Sequence, residues 1–154
     1  NRGTDMDMSL IAALDRADLA APAYNGAAIA VVSGLALYIA WIARPHFSRE
    51  LAGMLVAASL LIAPYSAGNS VLVILAIGII PLFQQRVGLG LALIALYNVP
   101  FLLNNAEYRH VYAYYHTALT LISMLALAAE VWRKEKRRGG AGKRLRVNQE
   151  TAAA

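Results

Sequence analysis

Cysteine is entirely absent from this 154-residue chain. Its absence excludes a disulfide framework, a thiol nucleophile and any metal site that needs thiolate ligands. Histidines are also few, since the chain has 3 and no two of them stand at metal-ligand spacing. The sequence therefore predicts neither a thiol-dependent enzyme nor a metal centre.

Charged residues are scarce, at 15% of the chain, and acidic residues are outnumbered 9 to 14 by Lys and Arg. Charge is absent all the way from Leu51 to Phe83. It is too long for one membrane crossing and has the length of two short ones. Pro, Ser, Gly and Asn gather in its middle, at Pro64–Ser70, where Pro64 ends one helix and Asn69 or Ser70 can cap the next. This stretch predicts a helical hairpin with a polar tip.

Apolar residues make up 59% of the chain and its mean hydropathy is positive, which is typical of a polytopic membrane protein. We expect an all-α fold in which five transmembrane helices, forming a membrane domain at residues 21–132, follow a short amphipathic helix. The five expected crossings are Asn25–Ala43, Leu51–Tyr65, Asn69–Phe83, Val87–Leu103 and about Val111–Trp132. Glycines within them indicate close helix packing rather than nucleotide-binding loops, at Gly34, Gly53, Gly78, Gly88 and Gly90.

The segment before the first crossing, residues 1–20, contains a helix that is too short and too charged to span a bilayer. Ser9 precedes this helix as an N-cap. Its apolar side chains recur at helical spacing, at Leu10, Ile11, Leu14 and Leu19. We expect an external amphipathic helix that lies on the membrane surface or packs on other helices, and a solvated terminal helix is the alternative.

Basic residues set the expected orientation in the membrane. Arg44 and Arg49, Arg86, and the basic tail at residues 133–154 all fall on one side of five crossings. By the positive-inside rule that side is the cytoplasm, so the N-terminal segment, the hairpin tip and the loop Asn104–Tyr115 lie outside. The tail directly follows an apolar helix and lacks any motif for nucleic acid. We therefore expect a disordered tail with no nucleic-acid partner, in a protein of the bacterial cytoplasmic membrane.

The chain begins with Asn1 rather than Met, and no signal peptide precedes its external segment. Either a leader has been removed or the chain is the C-terminal part of a longer polytopic protein. The second expectation is favoured by two stretches, Asn1–Thr4 (NRGT) running into Leu14–Arg16, and the hairpin tip Leu60–Asn69 (LLIAPYSAGN). Their order and spacing over most of residues 1–105 resemble the C-terminal region of the family 87 polyprenol-phosphate-dependent integral-membrane glycosyltransferases, which have the GT-C architecture.

The resemblance implies the C-terminal part of a glycosyltransferase that uses a lipid-linked sugar donor on the external face. Its partners would be membrane lipids, a polyprenol-phosphate sugar, and the remainder of a longer polypeptide or other membrane subunits. The aromatic and acidic pair of the family's tip is replaced by Gly68-Asn69, and the external loop that carries the family's catalytic base has no counterpart. We therefore expect this chain alone to be inactive. Neither a cofactor nor a catalytic residue is identified.

Six polar residues on the expected external side are candidates for substrate binding: Tyr65, Ser66, Asn69, Glu107, Arg109 and His110. On the hairpin tip, the tyrosine ring could stack on a sugar while serine and asparagine hydrogen-bond its hydroxyls. In the later loop, arginine and histidine suit a phosphate or diphosphate, and the glutamate could act on a hydroxyl proton. We expect the tip and this loop to approach one another. The structural alternatives are a plain capped hairpin and an interfacial aromatic belt.

His116 lies inside the start of the fifth crossing, one helical turn from Tyr112 and Thr120. A histidine in a membrane helix could ligate a haem or a chlorophyll-type pigment, or relay protons. Without a second histidine at ligand spacing, a hydrogen-bonded packing role is favoured.

A second function class stays open, a non-catalytic structural subunit of a photosynthetic or respiratory membrane complex. A small transporter or channel is disfavoured, because the central hairpin carries no charge.

Overall fold

The computed structural model describes residues 9–17, 19, 22–44, 46–63, 73–102 and 109–152, and this part of the chain is all-α, as expected. Its elements are α1 Leu10–Arg16, α2 Pro22–Ala43, α3 Arg49–Ile62, a π-helical turn Leu75–Ile79, α4 Ile80–Gln85, α5 Val87–Leu102 and α6 Arg109–Ala152.

The first helix, α1, is N-capped and packs on the bundle. The Ser9 side chain accepts a hydrogen bond from the Ala12 backbone N–H at 3.2 Å, and Ser9 is fully buried. Ala12 is buried as well, and α1 contacts α2, α3 and α6. The predicted cap is therefore confirmed. Of the placements expected for this helix, the structure shows packing on other helices.

The core of the bundle lies between α3 and α6, the pair of helices with the most extensive contact. α3 buries a face whose members recur every three or four residues: Leu51, Met54, Ala58 and Leu61. α6 buries the apolar residues Met124, Leu127 and Val131. Helical spacing alone brings each set onto one side of its helix, and the two sides close into a single core.

α3 and the π-helical turn cross at two glycines, Gly53 and Gly78. A Cβ atom on Gly53 would lie 2.9 Å from the Gly78 backbone nitrogen, and one on Gly78 would lie 2.7 Å from Cδ1 of Leu127. Real Cβ atoms do not approach other atoms this closely, so the Gly78 backbone excludes a side chain at Gly53, whereas a Cβ on Gly78 would displace the end of the flexible Leu127 side chain. In the turn, the Ile80 N–H donates to the Leu75 carbonyl. Pro81 follows and has no N–H, which removes the competing α-helical hydrogen bond there.

Charged residues from three segments meet at one end of the bundle. Glu50, at the start of α3, contacts Gln85 and Lys134, and Arg86 contacts Glu130. We call this region the charged end and define it as His46, Glu50, Gln85, Arg86 and residues 130–138.

The ends of three helices lie away from the charged end. α3 begins at the charged end and ends at Ile62. α5 also begins at the charged end and ends at Leu102. α6 runs in the other direction, from Arg109 toward the charged end. These three helix ends therefore lie at the opposite end of the bundle.

Two helices are long and apolar enough to cross a membrane, α2 and the section Tyr114–Gly140 of α6. Their settings differ, because 22% of the most apolar stretch of α2 is buried inside the protein, against 56% in α6. α3 and α5 have 14 and 16 residues. Both are shorter than the roughly 20 residues of a typical crossing. Length and composition thus support two of the five expected crossings.

α6 is a 44-residue helix, about 66 Å long at a rise of 1.5 Å per residue. The sequence predicts a disordered tail at residues 133–154, whereas the structure has helix through Ala152. Lys, Arg and Glu, which are frequent in this segment, favour helix. The tail also extends a helix that is already formed, so it needs no new nucleus.

Candidate functional site

Glu50 is a buried carboxylate at the charged end, with 3% of its surface exposed. Ser48 caps α3 by accepting a hydrogen bond from the Leu51 N–H at 3.2 Å, which places Glu50 in the first turn. The carboxylate accepts a hydrogen bond from Gln85 and another from Lys134, whose Nζ lies 2.8 Å away. One side chain therefore joins α3, α4 and α6.

The surroundings of Glu50 act on its pKa in opposite directions. Burial raises the pKa, but hydrogen bonds from Lys134, from its own backbone N–H and from Ser48, together with the Lys134 charge, leave it below the ordinary value of 4.5. The carboxylate is therefore ionised at neutral pH. Its contribution to stability is present above 4.5 and is lost as the pH falls through the lower folded-state pKa.

Two carboxylates of α6 bind further cations at the charged end. Glu130, which is also buried, lies 2.8 Å from Nε of Arg86. Glu135 lies 2.5 Å from Nη1 of Arg138 and 3.5 Å from Nδ1 of His46. The segment before α3 and the turn between α4 and α5 are thus each connected to α6. These carboxylates are occupied in holding helices together.

A second polar cluster, the hydroxyl cluster, lies between α5 and α6 and consists of Tyr97, Thr120 and Ser123. The Tyr97 and Ser123 hydroxyls are 3.1 Å apart and both side chains are almost completely buried. Thr120 is a further hydrogen-bond partner of Tyr97. Nearby, the Tyr115 hydroxyl donates to the Leu96 carbonyl at 2.5 Å. Because buried polar groups need matching partners, these bonds specify the register of α5 against α6.

His116 adjoins the hydroxyl cluster and is 8% exposed. Its ring stacks on Tyr97 with ring centroids 6.2 Å apart, and it meets Tyr115 edge-on at 5.8 Å. Its buried Nδ1 has no hydrogen-bond partner among the residues that the structure describes. The ring contacts agree with the favoured packing role, but no hydrogen bond at Nδ1 accompanies it. A pigment or haem ligand role stays a prediction.

The predicted substrate-binding residues fall where side chains are not described. Four of them lie outside the described residues: Tyr65, Ser66, Asn69 and Glu107. The other two, Arg109 and His110, are described only as the first backbone residues of α6. Their expected meeting on the outer face therefore stays a prediction.

Aromatic side chains lie on the exterior of the helix bundle, close to the charged end. Trp41 is exposed, and the guanidinium carbon of Arg44 lies 4.1 Å from the centre of its ring. The exposed rings of Tyr38 and Trp132 lie 6.2 Å apart. Tryptophan and tyrosine beside arginine are typical of membrane–water interfaces.

Glu50 and Glu130 were not recognised from the sequence, although each carried a signal. Glu50 is the only acidic residue between Asp18 and Glu107. Glu130 is the only charged residue between Val111 and Val131. An isolated carboxylate beside apolar helices needs a cation to neutralise it, so each predicts an ion pair even where its partner is unknown.

Within the described ranges, no three His, Asp or Glu side chains are arranged to hold a metal ion. The chain matches no protein-family model, no curated protein and no solved structure.

Proposed function

We propose that this chain is an integral membrane protein whose helices cross the bilayer five times, with the charged end in the cytoplasm. The observation that carries the proposal is the exposed apolar surface of α2. Val31 and Leu37 are each 69% exposed, and Trp41 is 66% exposed. Water would destabilise such a continuous apolar face, whereas the hydrocarbon interior of a bilayer solvates it.

The distribution of charge supports the same proposal. The buried carboxylates Glu50 and Glu130 are both paired with cations, and both lie at the charged end. Beyond them, the exposed residues Lys136 and Arg137 continue the basic segment. Basic segments beside membrane helices are retained in the cytoplasm, which gives the orientation. The shorter helices α3 and α5 would then be short crossings that begin on the cytoplasmic side.

The proposed orientation predicts an all-or-none labelling pattern, and the absence of native cysteine gives a clean background. Cysteines introduced at Ser66 and Asn105 should react with an impermeant thiol reagent added to intact cells. A cysteine at Lys136, which is exposed at the charged end, should react only after the membrane is permeabilised. The unsubstituted chain is the control. External labelling at Lys136 with protection at Ser66 would refute the orientation.

For the molecular role, we propose the membrane-embedded part of a glycosyltransferase that binds a lipid-linked sugar opposite the charged end. The proposal rests on the resemblance of the hairpin tip to the family 87 enzymes. It is supported by the helix ends at Ile62, Leu102 and Arg109, which share one end of the bundle. A phosphate headgroup at that end would be matched by an arginine and a histidine, which form charge-assisted hydrogen bonds with phosphate oxygens.

Binding of polyprenol phosphate to the purified chain tests this role. Arg109→Ala should weaken the affinity about tenfold, because one charge-assisted hydrogen bond is worth roughly 1.5–3 kcal/mol. Arg137→Ala, which removes a cation from the charged end, is the matched control and should change the affinity by less than about twofold. Equal affinities for Arg109→Ala, His110→Ala and the unsubstituted chain would contradict this role. The segment would then be interpreted as an interfacial aromatic belt.

A non-catalytic subunit of a larger membrane complex is the second candidate, and the setting of α2 favours it. Gly26 and Gly34 are open, because a Cβ on either would meet nothing within 4 Å. Small residues let a neighbouring helix approach closely, so another subunit could cover this face in place of lipid. Absence of polyprenol-phosphate binding, with recovery of the chain in one defined complex after mild solubilisation, would support this candidate over the enzyme.

A further inference from the structure

A groove opens beside the start of α3, close to the charged end. It is lined by Phe47, Ser48, Arg49, Ala52, Ala76 and Ile77. The first four residues belong to the start of α3 and the segment before it, and the last two belong to the π-helical turn. The groove has a volume of about 340 Å³. This volume lies within the roughly 300–1,000 Å³ that small-molecule sites occupy.

The groove combines one cation with apolar walls. Arg49 is exposed and makes no ion pair or hydrogen bond with any side chain that the structure describes, whereas Arg86 and Lys134 at the same end are both paired. The walls are formed by small and branched apolar side chains from α3 and the π-helical turn. Phe47 also lines the groove and has 77% of its surface exposed. A ligand that fits must therefore be anionic at one point and apolar along its length.

We propose that this groove binds one anionic phospholipid, with its phosphate on Arg49 and an acyl chain against Ala52, Ala76 and Ile77. The inference rests on the proposed membrane location, which places the groove at the cytoplasmic interface. Guanidinium matches two phosphate oxygens at once, and anionic lipids are enriched in the cytoplasmic leaflet. Phe47 would lie over the boundary between the glycerol and the acyl chain, where aromatic rings are favoured.

Two simpler ligands use only part of the groove. Inorganic phosphate would contact Arg49 and leave the apolar walls empty, and an exposed arginine alone holds a small anion weakly. Diffuse attraction of anionic lipid to the whole basic end would involve Lys136 and Arg137 as much as Arg49. Binding of a phospholipid in the groove differs from both, because it requires the cation and the apolar wall together.

Lipid binding to the purified, delipidated chain in mild detergent tests the site. Native mass spectrometry would compare titrations with dioleoyl phosphatidylglycerol and dioleoyl phosphatidylcholine, which differ in headgroup charge but share their acyl chains. The unsubstituted chain should bind phosphatidylglycerol more tightly. Arg49→Gln should lower that affinity about tenfold, to the level of phosphatidylcholine. Arg137→Gln, the control for loss of one exposed cation, should lower it by less than about twofold.

Ala76→Leu tests the apolar wall without changing charge. Ala76 is exposed on its helix, so the larger side chain fills the groove without entering the core. We expect phosphatidylglycerol affinity to fall severalfold, and excess inorganic phosphate to leave the bound lipid in place. Equal losses in Arg49→Gln and Arg137→Gln, or full affinity in Ala76→Leu, would overturn the site. These outcomes in a chain that still gives the expected cysteine labelling would reject the groove alone, whereas failed labelling rejects the membrane proposal.

Discussion

Replacing Gly53 with alanine is expected to lower the free energy of unfolding by about 3 kcal/mol. The added methyl would lie 2.9 Å from the Gly78 backbone nitrogen and 3.3 Å from Cδ1 of Leu127. The backbone atom cannot rotate away, so α3 and the π-helical turn must separate and lose packing along the core. The better helix propensity of alanine, worth roughly 1 kcal/mol, offsets only part of this loss.

Gly34→Ala is the matched control for Gly53→Ala. Gly34 lies in α2, and a Cβ there would meet nothing within 4 Å. The same chemical change should therefore leave stability unchanged or raise it by up to about 1 kcal/mol. Both variants can be measured by circular dichroism during denaturant titration in detergent micelles. Equal stabilities would show that α3 and the π-helical turn do not meet at these glycines.

Glycine positions show how far the sequence predicts packing. Five glycines of the expected crossings were interpreted as close helix contacts, but the structure separates them into two groups. A Cβ would clash at Gly53, Gly78 and Gly90, whereas at Gly34 and Gly88 it would meet nothing within 4 Å. Because membrane helices are apolar on all sides, the sequence pattern does not show which face meets a neighbour. Only the three-dimensional arrangement separates the two groups.

Helix ends were predicted more accurately than side-chain partners. α2 ends at Ala43 and α5 begins at Val87, as expected, because charged or proline-containing segments interrupt the apolar runs at these points. The partners of Glu50 and Glu130 are distant in sequence and depend on how three helices are placed. The π-helical turn likewise depends on contacts that no local propensity records. Local chemistry therefore predicted these helix ends, whereas tertiary contacts determine the ion pairs and the π-helical turn.

The candidate site was predicted from residue types rather than from isolated charges. The density of polar and aromatic residues predicts a site in the segments around Tyr65 and Arg109. The side chains there are not among those that the structure describes. The hydroxyl cluster was missed because Tyr97 and Ser123 lie in mostly apolar stretches of two helices that are distant in sequence. Each is unremarkable in its own helix, and only their pairing across α5 and α6 marks a site.

Lys134→Met is expected to lower the free energy of unfolding by about 3 kcal/mol, because it leaves the buried Glu50 carboxylate without an opposite charge. The Lys134 side chain is 29% exposed and the Glu50 side chain is 4% exposed, so the ion pair is largely shielded from water. Among the described residues only the neutral Gln85 and the Ser48 hydroxyl would still contact the carboxylate through their side chains. Arg138→Met, which breaks the exposed pair with Glu135, is the control and should change stability little.

Two further measurements show whether Lys134→Met acts through the lost charge or through lost packing. One measures stability at decreasing pH, and the other uses a double variant. Without the Lys134 charge, burial should raise the pKa of Glu50, so its carboxylate is protonated in the folded state as the pH falls. The stability difference from the unsubstituted chain should therefore narrow as the pH falls through the region around 4.5. Glu50→Leu combined with Lys134→Met should recover most of the loss, because an apolar pair needs no neutralisation. A loss that stays constant with pH and persists in the double variant would show that Lys134 stabilises the bundle through its packing alone.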